Sequence, residues 1–217
     1  MSVIDLDNSI TYLDLYETLH KETPKILLID LVDNSITDKN TTHSYLDLYQ
    51  TLLHNKKETA KNVLEIGIWS GGSIKLWSDF FTNATIYGLG VIDINNPKIS
   101  PTIINKKNIY LYCNTDAYNE NVFNHFFKSK DMKFDFMLDD GPHSLESMRQ
   151  FIILYSQIMT DDGILIIEDV QDWSWIEILT NTVPDNLKQY VKTYDLRLNK
   201  NRYDDIVFTI DKTIRNN

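Results

Sequence analysis

From residue 62 onward, short runs that are apolar throughout alternate with stretches of helical periodicity, and few folds accept that order. The apolar runs at 62–68, 85–89, 108–112, 134–138 and 163–167 read as strands. Helical patterns fill intervals at 72–81, 119–128 and 145–159. In the last, Met148, Phe151, Ile152, Tyr155 and Ile158 share one face. Strands without polar alternation suit a sheet covered on both sides, and strand–helix–strand order implies parallel strands joined by right-handed crossovers. Residues 191–198 and 205–210 are close enough in the chain to form an antiparallel hairpin at one edge. The expected fold is therefore α/β: a doubly wound, mostly parallel sheet with an antiparallel C-terminal edge hairpin.

The N-terminus carries an internal echo. Asp7-Asn8-Ser9-Ile10-Thr11 recurs as Asp33-Asn34-Ser35-Ile36-Thr37, and Tyr12-Leu13-Asp14-Leu15-Tyr16 recurs as Tyr45-Leu46-Asp47-Leu48-Tyr49. In both copies an amphipathic helix is expected, followed by a short strand, at 25–29 in the first and at 62–66 in the second. The second copy holds seven additional residues, Asp38 to Ser44. Two copies are too few for a solenoid. Residues 1–36 are read as an extension, a partial duplication of 33–66, and residues 37–217 as the functional domain.

Composition narrows the function classes. Thirty-one acidic residues against 21 basic ones give a formal charge of −10, a field that repels nucleic-acid phosphates. Lys106-Lys107 and Lys128-Ser129-Lys130 are too short to counter it. No apolar run approaches the roughly 20 residues needed to cross a bilayer, and Met1 to Asp5 lacks the pattern of a secretory signal. Cys113 is the single cysteine, so intramolecular disulfides and cysteine-rich zinc sites are excluded. A cytoplasmic location is expected.

In doubly wound sheets, ligands bind beyond the carboxyl ends of the strands. After the first strand comes Glu65-Ile66-Gly67-Ile68-Trp69-Ser70-Gly71-Gly72-Ser73, a glycine loop opening a helix, without the dinucleotide or P-loop spacing. After the fourth comes Asp139-Asp140-Gly141-Pro142-His143, and after the fifth Glu168-Asp169. Turn chemistry and helix capping explain part of these segments. However, like charges at the end of a run built for burial are costly unless a cation compensates them. Oxygen ligands select a hard ion such as Mg²⁺ or Ca²⁺.

Together, Asn62-Val63-Leu64-Glu65-Ile66-Gly67, Gly71-Gly72-Ser73, Leu138-Asp139-Asp140-Gly141-Pro142-His143 and Ile167-Glu168-Asp169-Val170 resemble class I S-adenosylmethionine-dependent methyltransferases. More narrowly, they resemble the metal-dependent O-methyltransferases acting on macrolide and glycan sugars. Thr37-Asp38-Lys39, with His43 and Tyr45, is similar to the segment before that group's first strand. The resemblance runs from about Thr37 to Ile210. It implies a Rossmann-like fold, S-adenosylmethionine as cofactor and magnesium or another hard divalent cation held by Asp140, Glu168 and Asp169. His143 would be the general base, with Asp140 also catalytic. Glu65, Gly67, Ser70, Gly71 and Gly72 would hold the methionine part of the cofactor, Asp116 and Ala117 would lie near its adenine, and Asp139 near its ammonium. The implied acceptor is a small molecule or glycan, with neither nucleic acid nor membrane as partner; oligomeric state is left open.

Two departures stand out. Gly90 occupies the position where the family has a ribose-binding acid, so either Asp93 reaches in from the loop or cofactor binding is weakened or lost. Such a contact is worth about 1.5–3 kcal/mol, a tenfold to hundredfold question of affinity that does not by itself imply inactivity. Pro142 replaces a small polar residue and stiffens the turn. The resemblance makes a sugar hydroxyl the expected acceptor. An ion beside the hydroxyl would stabilise its developing charge, and an imidazole accepts a proton near neutrality. A phenolic or catechol acceptor, or a non-catalytic scaffold retaining the fold, remain the alternatives. Trp69 is placed near the cofactor or as a solvent shield, and Trp173 and Trp175 near an acceptor cleft or packed on the sheet. His20, His54 and His125 are expected to be structural, and His43 to lie near the site.

Overall fold

The computed structural model describes residues 26–214. Its chain order is α1 (Leu28–Leu31), α2 (Leu46–Leu53), β1 (Asn62–Ile66), α3 (Gly72–Phe80), β2 (Thr85–Leu89), α4 (Pro101–Ile104) and β3 (Ile109–Tyr112). There follow α5 (Glu120–Phe126), β4 (Phe134–Asp139), α6 (Leu145–Tyr155), β5 (Met159–Ile167), α7 (Trp175–Thr182), β6 (Val191–Asp195), α8 (Arg197–Lys200) and β7 (Ile206–Asp211). The strands form one sheet in the order β3-β2-β1-β4-β5-β7-β6. The first five are parallel, while β7 runs antiparallel to both β5 and β6. This is the doubly wound sheet with an edge hairpin that the apolar runs predicted.

Strand periodicity distributes the core between two faces. Leu64, Ile66, Met137, Leu165 and Ile167 face α5, α6 and α7, where Phe123, Phe151, Tyr155 and Leu179 are buried. Val63, Ile86, Phe136, Leu138 and Ile166 face α2 and α3 and meet Leu48, Tyr49, Trp77 and Phe80. Glu65 shares this second face because it lies two residues from Val63, which brings a carboxylate under α3. Strand order reverses between β1 and β4, so their carboxyl ends define the crevice.

Several boundaries differ from expectation. β1 stops at Ile66 rather than residue 68 because Gly67 takes φ +101° and turns the chain away. The third helical pattern ends its α-helix at Tyr155, continues as a 3₁₀ turn over Ser156–Ile158, and gives way to a β5 that begins at Met159 rather than 163. Phe134 pairs with Met159 ahead of a register irregularity, which captures the polar residues 160–162 into the strand. The strand expected at 25–29 is contradicted where it is described: Leu28–Leu31 is one helical turn, with Leu28 buried and its N–H donated to the Gln50 side chain. Lys25, the helix before it and His20 lie outside the described residues.

Gly67 ties the first strand end to the fourth. A Cβ there would lie 2.0 Å from the Asp140 carbonyl oxygen, while the Asp140 N–H donates to Ile66 O at 2.8 Å. Both the positive φ and this contact demand glycine. Gly67→Ala is expected to cost about 2–4 kcal/mol of stability, read from the midpoint of chemical denaturation.

Candidate active site

The carboxyl ends of β1, β4 and β5 place Glu65, Asp139, Asp140, Glu168 and Asp169 around one crevice. Glu65, Asp139, Glu168 and Asp169 are buried, whereas the Asp140 side chain is 28% exposed. Burying carboxylates together disfavours their charge, and the structure answers with cations and hydroxyl donors.

The principal cation is Lys39. Its side chain is 1% exposed, and its Nζ donates to Asp140 Oδ2 at 2.8 Å and to Glu168 Oε1, with Glu65 Oε1 at 3.8 Å. Burial opposes the lysine's charge, but Asp140, Glu168 and Glu65 override it and hold its pKa well above the ordinary value. Glu65 also accepts from Ser73 Oγ at 2.6 Å and Trp77 Nε1 at 2.8 Å. Burial still pushes it up to about 7.

Two tyrosines one helical turn apart complete the floor, since side chains four residues apart share a face. Tyr45 donates to Asp169 Oδ1, and Tyr49 to Glu168 Oε2. Both Glu168 oxygens are thus engaged, one by Lys39 and one by Tyr49. His43 stacks on Tyr45 at 4.9 Å between centroids. Its Nδ1 lies 2.6 Å from Asp205 Oδ1 and 3.4 Å from Asp169 Oδ1. Burial opposes its protonation, but the hydrogen bond to Asp205 and the charge of Asp169 raise the imidazole above its ordinary pKa.

The open side is formed by Asp140, His143 and Asp169. His143 Nε2 lies 3.8 Å from Asp140 Oδ1 and 3.6 Å from Asp169 Oδ2, and ligand atoms of the three side chains all lie within 4.8 Å of one another. Neither of these oxygens is the one bonded to Lys39 or Tyr45. His143 Nδ1 is buried without a hydrogen-bond partner among the described residues. His143 (φ +54°) and Asp169 (φ +56°) both adopt the left-handed conformation, an uncommon backbone state that clusters at functional sites.

The remaining expected residues have definite positions. Gly71 (φ +79°) and Gly72 open α3, but their missing Cβ positions are closely approached by the protein itself, by Ile103 Cδ1 at 2.1 Å and Ile36 O at 2.2 Å. Ser70 lies in the same loop, where its carbonyl accepts from Ser100 N. Asp139 accepts from the Tyr118 hydroxyl, and burial pushes it up to about 7. Its ionised form is supported by neutral donors, the Tyr118 hydroxyl and the Gly141 N–H, so an incoming ammonium would complete its environment. A Cβ on Gly90 would meet Ile68 at 3.3 Å, which leaves little room for an acid there. Asp93 is exposed and folded onto Asn95 N (2.7 Å) and Asn114 Nδ2 (3.3 Å), whose hydrogen bonds lower its pKa. Asp116 is also exposed and accepts from Tyr118 N, while Ala117 is buried with its carbonyl bonded to Tyr155.

Trp69 is 59% exposed. Trp175 packs partly buried against the core, whereas Trp173 is 39% exposed beneath the Arg197 guanidinium. His54 bonds to Thr51 O and His125 packs on Phe126, both away from the carboxylates. Sequence reasoning did not single out Tyr49, Tyr118 or Asp205. The repeated Tyr-Leu-Asp-Leu-Tyr spacing was a signal for the first, but nothing local marks the others. Lys39 appeared only as part of a resembling segment.

No family model matches the chain. It is 30% identical over 123 residues to demethylmacrocin O-methyltransferase of Streptomyces fradiae and 28% identical over 121 residues to mycinamicin VI 2''-O-methyltransferase of Micromonospora griseorubida. Each match covers 52% of this chain and 28% of the relative, so the chain is aligned with only about a quarter of these longer proteins. Among solved structures, MycE methyltransferase from the mycinamycin biosynthetic pathway, in complex with Mg and SAH, superposes with a TM-score of 0.67 at 19% identity. That match covers 87% of this chain and 55% of MycE. Fibrillarin of Aeropyrum pernix with bound S-adenosyl-L-methionine gives a TM-score of 0.54 at 16% identity, covering 70% of this chain and 66% of that one. The seven-stranded sheet with its antiparallel edge is the Rossmann-like fold of class I S-adenosylmethionine-dependent methyltransferases.

Proposed function

We propose that this chain is an S-adenosylmethionine-dependent O-methyltransferase whose acceptor is a sugar hydroxyl on a small molecule or glycan. The observation that carries the reading is the convergence of Asp140 Oδ1, Asp169 Oδ2 and His143 Nε2 at the switch point of the sheet. The named relatives support the reaction class, and one of them is described as a 2''-O-methyltransferase.

The residues present fit both groups that the reading requires. Asp140 and Asp169 each direct one carboxylate oxygen toward the open side, a donor set suited to a hard divalent ion. Asp139, supported by neutral donors, suits the cofactor's ammonium. When bound, the sulfonium supplies an already activated methyl group, and a divalent ion beside Asp140 and Asp169 lowers the proton affinity of an adjacent hydroxyl.

The chain's own part is alignment and proton transfer. Asp140 is held by Lys39 and Asp169 by Tyr45, so their open oxygens have fixed directions. That preorganisation lets an acceptor oxygen approach in line without reorganising the site. His143 would accept the acceptor hydroxyl's proton at Nε2 as that oxygen takes the methyl group that the sulfonium would supply. Residue 143 is in the left-handed conformation, and its ring lies beside both Asp140 Oδ1 and Asp169 Oδ2.

With a macrolide glycoside and labelled methyl donor, His143→Ala is expected to lower the rate by about 10²–10⁴, the usual range for loss of a general base. Its affinity for the donor, measured by calorimetry, should stay within about threefold of the parent, about 0.65 kcal/mol or less. Asp140→Asn is expected to abolish Mg²⁺-stimulated turnover, and excess chelator should do the same to the parent. Full turnover in chelator would overturn the metal reading. Faster methylation of a catechol than of any sugar hydroxyl would transfer the assignment to phenolic acceptors. Absence of donor binding at near-millimolar concentration would favour a scaffold.

A further inference from the structure

Tyr118 has no part in the chemistry proposed above, yet the fold prepares its position in detail. The loop that carries it follows β3 and is anchored on both sides. The Tyr155 hydroxyl donates to Ala117 O at 2.8 Å, and Tyr118 N donates to Asp116 Oδ1 at 3.0 Å. Asn119 then caps α5, its side chain accepting from Asn121 N and Val122 N. From this anchorage the Tyr118 hydroxyl reaches Asp139 Oδ1 at the end of β4. Gly141 leaves the space it needs, since a Cβ there would lie 1.9 Å from the hydroxyl oxygen. The same loop also touches the second strand end, where Thr115 N donates to Gly90 O at 2.9 Å.

We infer that Tyr118 is a positioning residue for the methyl donor, holding the Asp139 carboxylate in the orientation that receives the ammonium of the donor's amino-acid half. The inference rests on the donor reading above. A carboxylate at a strand end can turn about its side-chain bonds, and a hydroxyl fixed on one oxygen selects a single orientation before the ligand arrives, which lowers the ordering cost of binding. Because that hydroxyl is neutral, it directs the carboxylate without cancelling its charge, so an arriving ammonium still gains a charge-assisted hydrogen bond. Gly90 brings no acid to the end of β2, and Asp93 is turned onto Asn95 N and Asn114 Nδ2. Recognition of the donor by charge therefore shifts from its ribose to its amino-acid half, where Tyr118 acts.

The test is calorimetric binding of two ligands to the full chain: S-adenosylhomocysteine, and 5'-methylthioadenosine, which lacks the ammonium and carboxylate. Tyr118→Phe, which removes one oxygen, should weaken S-adenosylhomocysteine by about tenfold or more and change 5'-methylthioadenosine by less than about threefold. Asp139→Asn should show the same selective loss. Adding Tyr118→Phe to Asp139→Asn should cost less than about threefold further, because the two side chains act as one unit. Thermal unfolding of each variant confirms that it is folded. Equal losses for both ligands would make Tyr118 merely structural and overturn the inference. Unchanged or tighter S-adenosylhomocysteine binding by Tyr118→Phe overturns it too, the tighter case showing that the hydroxyl competes with the ammonium. If the parent binds S-adenosylhomocysteine but not the truncated nucleoside, the combined variant decides: independent, additive losses refute the inference and a shared loss supports it. A parent that binds neither ligand at near-millimolar concentration sinks the donor reading as well.

Discussion

Carboxylates from adjacent parallel strands converge at the carboxyl edge of this sheet, and their mutual repulsion in a water-poor crevice must be offset before any fold can close over them. Much of the offset comes from one loop and the helix after it, with α3 serving Glu65 and Tyr118 serving Asp139. Lys39 lies against Glu65, Asp140 and Glu168, His43 bridges Asp205 and Asp169, and Tyr45 and Tyr49 donate to Asp169 and Glu168. Because these partners precede β1 in the chain, the site's floor is assembled from residues more than a hundred positions apart. The site's floor and the second core face share residues, since Tyr45 and Tyr49 are buried in both.

The distribution of charge separates a closed half from an open half. Glu65 and Glu168 are enclosed by protein donors and serve to hold Lys39 and the tyrosines in place. Asp140 and Asp169 each have one oxygen on that closed side and one directed outward beside His143. Buried networks of this kind are costly when incomplete, and their full pairing makes the outward oxygens rigid. The glycine loop contributes through close packing: Gly67 admits Asp140 O from the neighbouring strand end, while Gly71 and Gly72 admit Ile103 and Ile36 O.

Much of the fold was legible because burial on both sheet faces writes itself into sequence as uninterrupted apolar runs, as at Thr85–Leu89. Boundaries failed where tertiary pairing outweighed local preference. Polar Thr160, Asp161 and Asp162 belong to β5 because Met159 pairs with Phe134, and Leu28 forms a helical turn because its N–H finds Gln50. In the site, Asp140, His143, Glu168 and Asp169 were visible as polar residues terminating apolar strands, a local signal. Asp205 and Tyr118 carried none, since their importance lies wholly in what they touch.

The sequence by itself determined the layered α/β architecture, the crevice between β1 and β4, and the acidic character of its rim, because apolar periodicity and strand-end residues are local properties. Only the tertiary structure decided how those acids are used. Charge pairing depends on distances of a few ångströms between distant parts of the chain, and so only the folded molecule shows Lys39 and Tyr49 enclosing Glu168 while Asp140 and Asp169 face outward beside His143.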